Sequence, residues 1–161
     1  QKDFPTLTGP YLGQKPPGMK PVIFAPGIVS TRIGVASISF TPDGKEVYFA
    51  RHTSDANDLG EILYMRIENN QWTAPELAPF SGDYRDWNLN LSPDGNRLYY
   101  TSRRPFQVGD KPKKDNDIWF VKKTERGWSK PINPGYPINT EKMDCYASIS
   151  NKGTLYYHGF D

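Results

Sequence analysis

The sequence contains little of what most active sites and metal centres are built from. It has one cysteine, Cys145, and two histidines, His52 and His158. A single cysteine cannot form a disulfide within the chain. The serine-hydrolase Gly-x-Ser-x-Gly, the His-Glu-x-x-His of zinc proteases and the phosphate-binding P-loop are all absent. The sequence therefore contains no recognisable catalytic motif, and we expect neither a bound metal nor another cofactor.

Charge and hydrophobicity argue against two further classes of protein. The 161 residues include 20 Lys and Arg against 18 Asp and Glu, which gives a formal net charge of +2. A balance of this kind is not typical of proteins that bind nucleic acid or anionic membranes. No apolar run approaches the ~18 residues of a membrane helix, and no signal peptide is recognisable. We expect no nucleic-acid partner and no transmembrane segment.

What the chain has in abundance is proline, glycine and aromatic residues. There are 15 Pro and 14 Gly, together with 10 Tyr, 8 Phe and 4 Trp. Aromatic residues favour strands, and proline and glycine favour the turns between them. This composition predicts an all-β fold of many short strands.

One ten-residue pattern recurs along the chain. Phe40–Phe49 (FTPDGKEVYF) is matched by Leu91–Tyr100 (LSPDGNRLYY) and, one residue shorter, by Ile149–Tyr157 (ISNKGTLYY). Each copy has alternating apolar residues on both sides of a turn, which is the pattern of a β-hairpin. Proline at the second position, aspartate at the third and glycine at the fourth suit a type I turn. The sequence thus predicts three hairpins.

A second hairpin follows each of the first two copies. Residues 62–66 (ILYMR) and 71–75 (QWTAP) correspond to residues 118–122 (IWFVK) and 127–131 (GWSKP). Ile62 and Ile118 are 56 residues apart, and so are the two tryptophans Trp72 and Trp128. Four short strands in a repeating unit of this length are typical of a β-propeller blade.

These motifs resemble the WD40-like propellers that carry a Pro-Asp-Gly turn in each blade and are related to the TolB propeller domain. The resemblance covers residues 35–161, and its most specific parts are residues 41–49 and 92–100. The third copy departs from it, because Asn151-Lys152-Gly153 replaces the Pro-Asp-Gly turn. The resemblance implies a partial propeller of about three blades, each of four antiparallel strands. It also implies a location in the bacterial envelope: periplasmic, anchored as an outer-membrane lipoprotein, or secreted.

Four segments follow from this reading. Residues 1–34 are a Pro-rich extended arm, residues 35–81 and 86–137 are two blades, and residues 144–161 are an incomplete third blade. A propeller needs at least four blades. We therefore expect missing C-terminal blades or a second chain to close the ring, with the arm available to supply a strand.

Blade geometry separates the turns from the loops that bind ligands. The Pro-Asp-Gly turns lie on one face, and the loops between second and third strands and between blades lie on the other. Propellers usually bind on this loop face. The candidate ligand-binding residues there are Arg51, His52, Tyr84, Arg85, Asp86, Trp87, Arg103, Arg104, Glu141, Asp144, Tyr146 and His158.

Several of these residues also have a structural interpretation. Trp87 and Tyr146 can pack between blades, and the arginines can form ion pairs between blades with Asp86 and Asp144. The two histidines could hold a metal only if the blades bring them together. The segments Asp55–Asp58 and Asp115–Asp117 resemble calcium loops but lack EF-hand spacing.

Three functions are compatible with the sequence. The first is a non-catalytic propeller that binds a protein or a glycan through its loop face. The alternative is a carbohydrate-active enzyme, a lyase or hydrolase for acidic polysaccharide, with a metal-assisted site near the central channel. It requires His52 and His158, or one of them together with residues of the missing blades, to converge there. The third is a rigid spacer.

Overall fold

The computed structural model describes residues 4–52, 60–107 and 109–160, which form an all-β structure of three antiparallel sheets. None of the sheets closes on itself. In sheets one and two, four strands pair in chain order, and β5 of sheet one pairs back onto β3. The strands are β1 (Val35–Phe40), β2 (Glu46–His52), β3 (Gly60–Glu68), β4 (Gln71–Trp72) and β5 (Glu76–Leu77) in sheet one; β6 (Asp86–Leu91), β7 (Arg97–Ser102), β8 (Asp117–Thr124) and β9 (Gly127–Trp128) in sheet two; and β10 (Asp144–Ile149) and β11 (Leu155–Gly159) in sheet three.

The repeated turn is held by its own side chains. Gly44 N donates to Thr41 O at 2.8 Å, and Lys45 N donates to Asp43 Oδ1 at 3.1 Å. The Thr41 hydroxyl donates to the same carboxylate oxygen. Gly44 takes a φ of 68°, a backbone conformation that glycine adopts without strain. The second copy repeats these bonds with Ser92, Asp94 and Gly95. The strand pairing confirms the three predicted hairpins as β1–β2, β6–β7 and β10–β11.

The sheets stack in chain order, with sheet two between the others. Tyr48 and Ala50 of sheet one pack with Leu98 and Tyr100 of sheet two. Tyr99 of sheet two packs with Ala147, Ile149 and Leu155 of sheet three. The second strands of sheets one and two therefore present alternate residues to opposite faces of the sheet, as the period of two requires.

Serine hydroxyl groups accept hydrogen bonds from backbone amides where the first strands of sheets one and two lie side by side. The Leu89 and Leu91 amides, on β6, donate to the side-chain oxygens of Ser37 and Ser39 at 2.9 and 3.3 Å. Each first strand is interrupted by an irregularity of register, as a β-bulge produces. Unpaired strand edges are usually protected in some such way.

The arm packs against the face of sheet one that points away from sheet two. Its described residues, 4–34, contain a single turn of 3₁₀ helix (Pro10–Gly13) and no strand. Leu12 and Val29 lie in one apolar cluster with Phe49 and Met65. Trp72 donates from its backbone N to Leu7 O at 2.9 Å and from Nε1 to Gly9 O at 2.8 Å. The described part of the arm is therefore held by side-chain packing and by hydrogen bonds to two of its carbonyls.

Candidate functional site

A cleft opens between sheets two and three, at the strand ends opposite the Pro-Asp-Gly turns. Its volume is about 410 Å³. The turns of neighbouring sheets meet at the other end, where a Cβ on Gly95 would lie 3.0 Å from Pro42 Cδ. The cleft is lined by Ala36, Arg85, Trp87, Asn88, Thr101, Arg103, Asn116 and Tyr146.

Two corresponding residues of sheets two and three differ in size. Trp87 pairs with Thr101 in sheet two, and Cys145 pairs with His158 at the corresponding register of sheet three. The Trp87 ring fills the space towards sheet one: its centroid is 4.2 Å from that of His52, and a Cβ on Gly60 would lie 3.0 Å from Trp87 Cε2. Cys145, the smaller residue, is 2% exposed and is not among the residues that line the cleft.

Two aromatic residues and an irregular backbone shape the cleft. Trp87 is partly exposed, and Tyr146 is 61% exposed. Asn88 and Tyr146 occupy bulges at equivalent points of β6 and β10, with φ values of 48° and 57°. Non-glycine residues rarely adopt positive φ and often do so at functional sites. The bulges place an amide and a phenol ring in the lining.

Cationic and hydroxyl groups supply the polar part of the lining. Arg103 Nε donates to Asn116 Oδ1 at 3.3 Å, which orients the guanidinium group. The Arg85 guanidinium carbon lies 4.2 Å from the Trp87 ring centroid, a cation–π contact. Thr101 is 1% exposed, and its buried Oγ1 has no hydrogen-bond partner among the described residues. No carboxylate lines the cleft in the part of the chain that the structure describes.

Asp86, Arg104 and Tyr84 lie together outside the cleft, as part of the fold. Arg104 Nη2 contacts both carboxylate oxygens of Asp86 at 3.0 Å, and the side chains are 8% and 0% exposed. Ser81 Oγ also donates to Asp86, at 2.7 Å, and the Arg104 guanidinium lies 5.5 Å from the Tyr84 ring. Asp86 is the first residue of β6, and Arg104 lies just after β7 of the same sheet. This ion pair is therefore formed within one repeat and not between repeats.

Three other predicted residues also lie outside the lining. Asp144 is buried and accepts hydrogen bonds from the backbone N and Oγ1 of Thr140 at 2.7 and 3.0 Å. Arg51 pairs with Glu61 on the neighbouring strand, at 2.7 Å. Glu141 is exposed in the loop before β10. Arg85, Trp87, Arg103 and Tyr146 are the four predicted residues that the structure brings together.

The histidines adjoin the walls of the cleft but are not in its described lining. His52 contacts the Trp87 ring edge to face, and the His158 centroid lies 6.2 Å from that of Tyr146. Within the described ranges no group of three or more His, Cys, Asp or Glu could hold a metal. In the segment Asp115–Asp117, which resembles a calcium loop, the Lys113 ammonium group lies 3.5 Å from the Asp115 carboxylate and 2.6 Å from the Asp117 carboxylate. The segment Asp55–Asp58 lies outside the described residues.

Four cleft residues were not predicted from the sequence: Ala36, Asn88, Thr101 and Asn116. Two asparagines and a threonine within or beside strands are unremarkable in sequence, and only the register brings them together. Asn88 does not stand out in its strand, because Asp86 and Asn90 of the same strand are polar as well.

Comparison with known proteins gives no relative from which a function for the cleft could be inferred. The chain matches no protein-family model, and a search of curated proteins gives no significant match. In the residues described here, no helix is both long enough and apolar enough to cross a bilayer.

Proposed function

We propose that this chain forms blades of an extracytoplasmic β-propeller of the Pro-Asp-Gly repeat type, and that it binds a glycan, without cleaving it, through the cleft between sheets two and three. The observation that carries the binding part is the lining of that cleft. Concave sites with aromatic walls and a few convergent polar groups are typical of small-ligand sites. Tyr146 offers a ring surface to the C–H face of a sugar, and Asn88, Asn116 and Arg103 offer hydrogen bonds to its hydroxyls.

The propeller part is supported by the repetition of sheets one and two. Each is a four-stranded antiparallel meander, and their inner strands lie side by side with hydroxyl-to-amide hydrogen bonds between them. In a propeller, each blade is a meander whose strands pair in chain order. The blades pack face to face around a centre that their first strands line.

A further layer is supported by the exposed face of sheet three. Leu155 of sheet three corresponds to Leu98 of sheet two, since each pairs with the last residue of its first strand. Tyr156 therefore corresponds to Tyr99, which sheet three covers, yet Tyr156 is 60% exposed. We propose that another sheet covers this face, either from sequence beyond this segment or from a second chain. An envelope location, as a periplasmic, lipid-anchored or secreted protein, is part of the same proposal.

Thermal unfolding with a panel of neutral and acidic oligosaccharides tests glycan binding. A ligand at a hundred times its dissociation constant stabilises the folded state by ~2.7 kcal/mol, which raises the Tm of a domain of this size by about 5–10 °C. Tyr146→Ala is expected to abolish the shift. Tyr136→Ala is the matched control, because Tyr136 is 87% exposed and outside the cleft lining.

Two results would contradict the proposal. If no sugar shifts the Tm, or if the shift survives Tyr146→Ala, the cleft is not a glycan site, and a protein partner for the loop face becomes the better explanation. Chromatography of the incubated oligosaccharides tests the second part. Shortened or unsaturated products would make the protein an enzyme.

A further inference from the structure

We infer that a loop of the arm, residues 15–23 (KPPGMKPVI), docks this protein onto a membrane surface that contains anionic phospholipid. None of these residues lines the cleft, so the inference is independent of the proposed glycan-binding function. It rests on the exposure, the charge and the backbone chemistry of the loop.

The apolar side chains of this loop are exposed. Every residue from 15 to 23 is exposed. Met19 is fully exposed, and Ile23 and Val22 are 69% and 56% exposed. Exposed apolar side chains that cluster in this way mark a surface that contacts a protein or a membrane.

The loop is fixed at its base. Gln14 Nε2 donates to Ile23 O at 2.9 Å, and Ala25 N donates to Gln14 Oε1 at 2.7 Å. Phe24 contacts the ring of Phe40, a residue of β1, edge to face with the centroids 5.9 Å apart. These contacts attach both ends of the loop to sheet one. A preorganised loop loses little conformational entropy when it binds.

The charge of the loop favours an anionic surface. Lys15 and Lys20 are exposed, and neither forms an ion pair with a residue that the structure describes. No acidic residue lies between Asp3 and Asp43 in the sequence, whereas Arg32 adds a third cation to this stretch. The balanced charge of the whole chain is therefore unevenly distributed. Each lysine beside a surface of anionic lipid raises the affinity about 5-fold.

The backbone of the loop favours a lipid surface over a protein partner. Pro16, Pro17 and Pro21 have no N–H group, and the Ile23 carbonyl already accepts a hydrogen bond from Gln14. A backbone group without a hydrogen-bond partner is costly in an apolar phase, whereas a protein can supply such a partner. The loop therefore has fewer donors to desolvate at a lipid surface and fewer to offer to a protein.

Co-sedimentation of the full chain with lipid vesicles tests the inference. One set of vesicles is phosphatidylcholine alone, and in the other set phosphatidylglycerol replaces about a third of it. We expect the protein to bind the anionic vesicles about 10- to 30-fold more tightly, because two exposed lysines contribute. Added salt should remove most of this difference, since it screens exposed charges.

Lysine variants assign the anionic preference to the loop. The double variant Lys15→Gln and Lys20→Gln is expected to bind anionic vesicles about 10- to 30-fold more weakly than the unaltered chain. The control is the double variant Lys111→Gln and Lys114→Gln, which removes the same charge from two exposed lysines outside the arm. The control should change the affinity by less than about 2-fold.

The apolar side chains are tested separately. Met19→Ser together with Ile23→Ser is expected to weaken binding to both kinds of vesicle about 10-fold or more. The Tm should stay unchanged, because both side chains are exposed and Gln14 bonds only to the backbone of Ile23. Met19→Cys labelled with an environment-sensitive fluorophore should emit at shorter wavelength on anionic vesicles; Cys145 is buried, so the unaltered chain treated with the same reagent is the control.

Three results would overturn the inference: binding to neither kind of vesicle, equal binding to both kinds, or anionic binding that survives both double variants of the loop. A polyglutamate peptide is the probe for a protein partner. If the peptide binds, the lysine variant of the loop loses this binding and no vesicle binds, the loop is a docking site for an acidic protein segment and the lipid surface is wrong.

Discussion

Replacing Trp72 with alanine is predicted to destabilise the protein more than the same replacement at Trp128, although the two tryptophans occupy equivalent repeat positions. Trp72 is 4% exposed, in an apolar cluster with arm residues such as Leu12 and Val29. Its indole N–H donates to Gly9 O at 2.8 Å. Trp128 is only partly buried, and its N–H donates to the Tyr48 hydroxyl at 2.9 Å.

The magnitudes follow from burial and hydrogen bonding. Truncating a buried tryptophan to alanine costs about 3–5 kcal/mol, and we expect Trp72→Ala to lie in that range. Trp128→Ala leaves a smaller cavity because part of the ring already faces solvent, and about 2–3 kcal/mol is expected. Trp72→Phe keeps most of the apolar contact and loses the hydrogen bond to the arm, which makes about 1–2 kcal/mol the expected loss.

Urea unfolding followed by far-UV circular dichroism measures these differences without relying on tryptophan emission. Limited digestion with chymotrypsin gives a second readout, because Tyr11 and Phe24 lie in the arm and should be cut faster only in the Trp72 variants. A loss below about 1 kcal/mol for Trp72→Ala, or equal digestion of the Trp72 and Trp128 variants, would refute the packing of the arm described above.

Three further predictions follow from buried or hydrogen-bonded groups. Arg104→Met should lower the free energy of unfolding by about 3–5 kcal/mol, since it leaves the Asp86 carboxylate buried without its cation; unchanged stability in urea would contradict this. Hydrogen bonds from the Thr41 hydroxyl and the Lys45 amide lower the pKa of Asp43 from its ordinary 3.8. Its contribution to stability is therefore present above that pH and lost as the pH falls through the lowered value, so Asp43→Asn should flatten the acid end of a plot of urea midpoint against pH. Burial raises the pKa of the Cys145 thiol, so Ellman's reagent should label it only after unfolding; rapid labelling of the native protein would show that sheet three is not docked as described.

The hairpins were the most predictable part of the fold, because their determinants are local. The turn from Thr41 to Lys45 is closed by hydrogen bonds between residues no more than five apart. The alternating apolar residues on each side of the turn then determine which side chains lie on each face of the sheet. Sequence alone could place β1, β2, β6 and β7 within a residue or two for that reason.

The arm and the cleft depend on distant pairs and could not be predicted in this way. Nothing local to Gly9 indicates that its carbonyl accepts a bond from Trp72, 63 residues away. The sequence predicted one set of loop-face residues, and the structure divides it. Four of them line the cleft: Arg85, Trp87, Arg103 and Tyr146. Arg104 and Asp86 instead form a buried ion pair outside it, and the sequence does not show which arginine is buried. Cys145 stands where the preceding sheet has Trp87, and this correspondence is visible only once the strand register is known.

The contact between Trp72 and the arm has a consequence for the outer face of sheet one. Trp128 bonds to a residue of the layer before it, and Trp72 makes the equivalent bond to the arm. The arm therefore takes the place of a preceding layer on sheet one. Deletion of the arm would expose Phe49 and Met65 and make that face prone to associate with other exposed apolar surfaces.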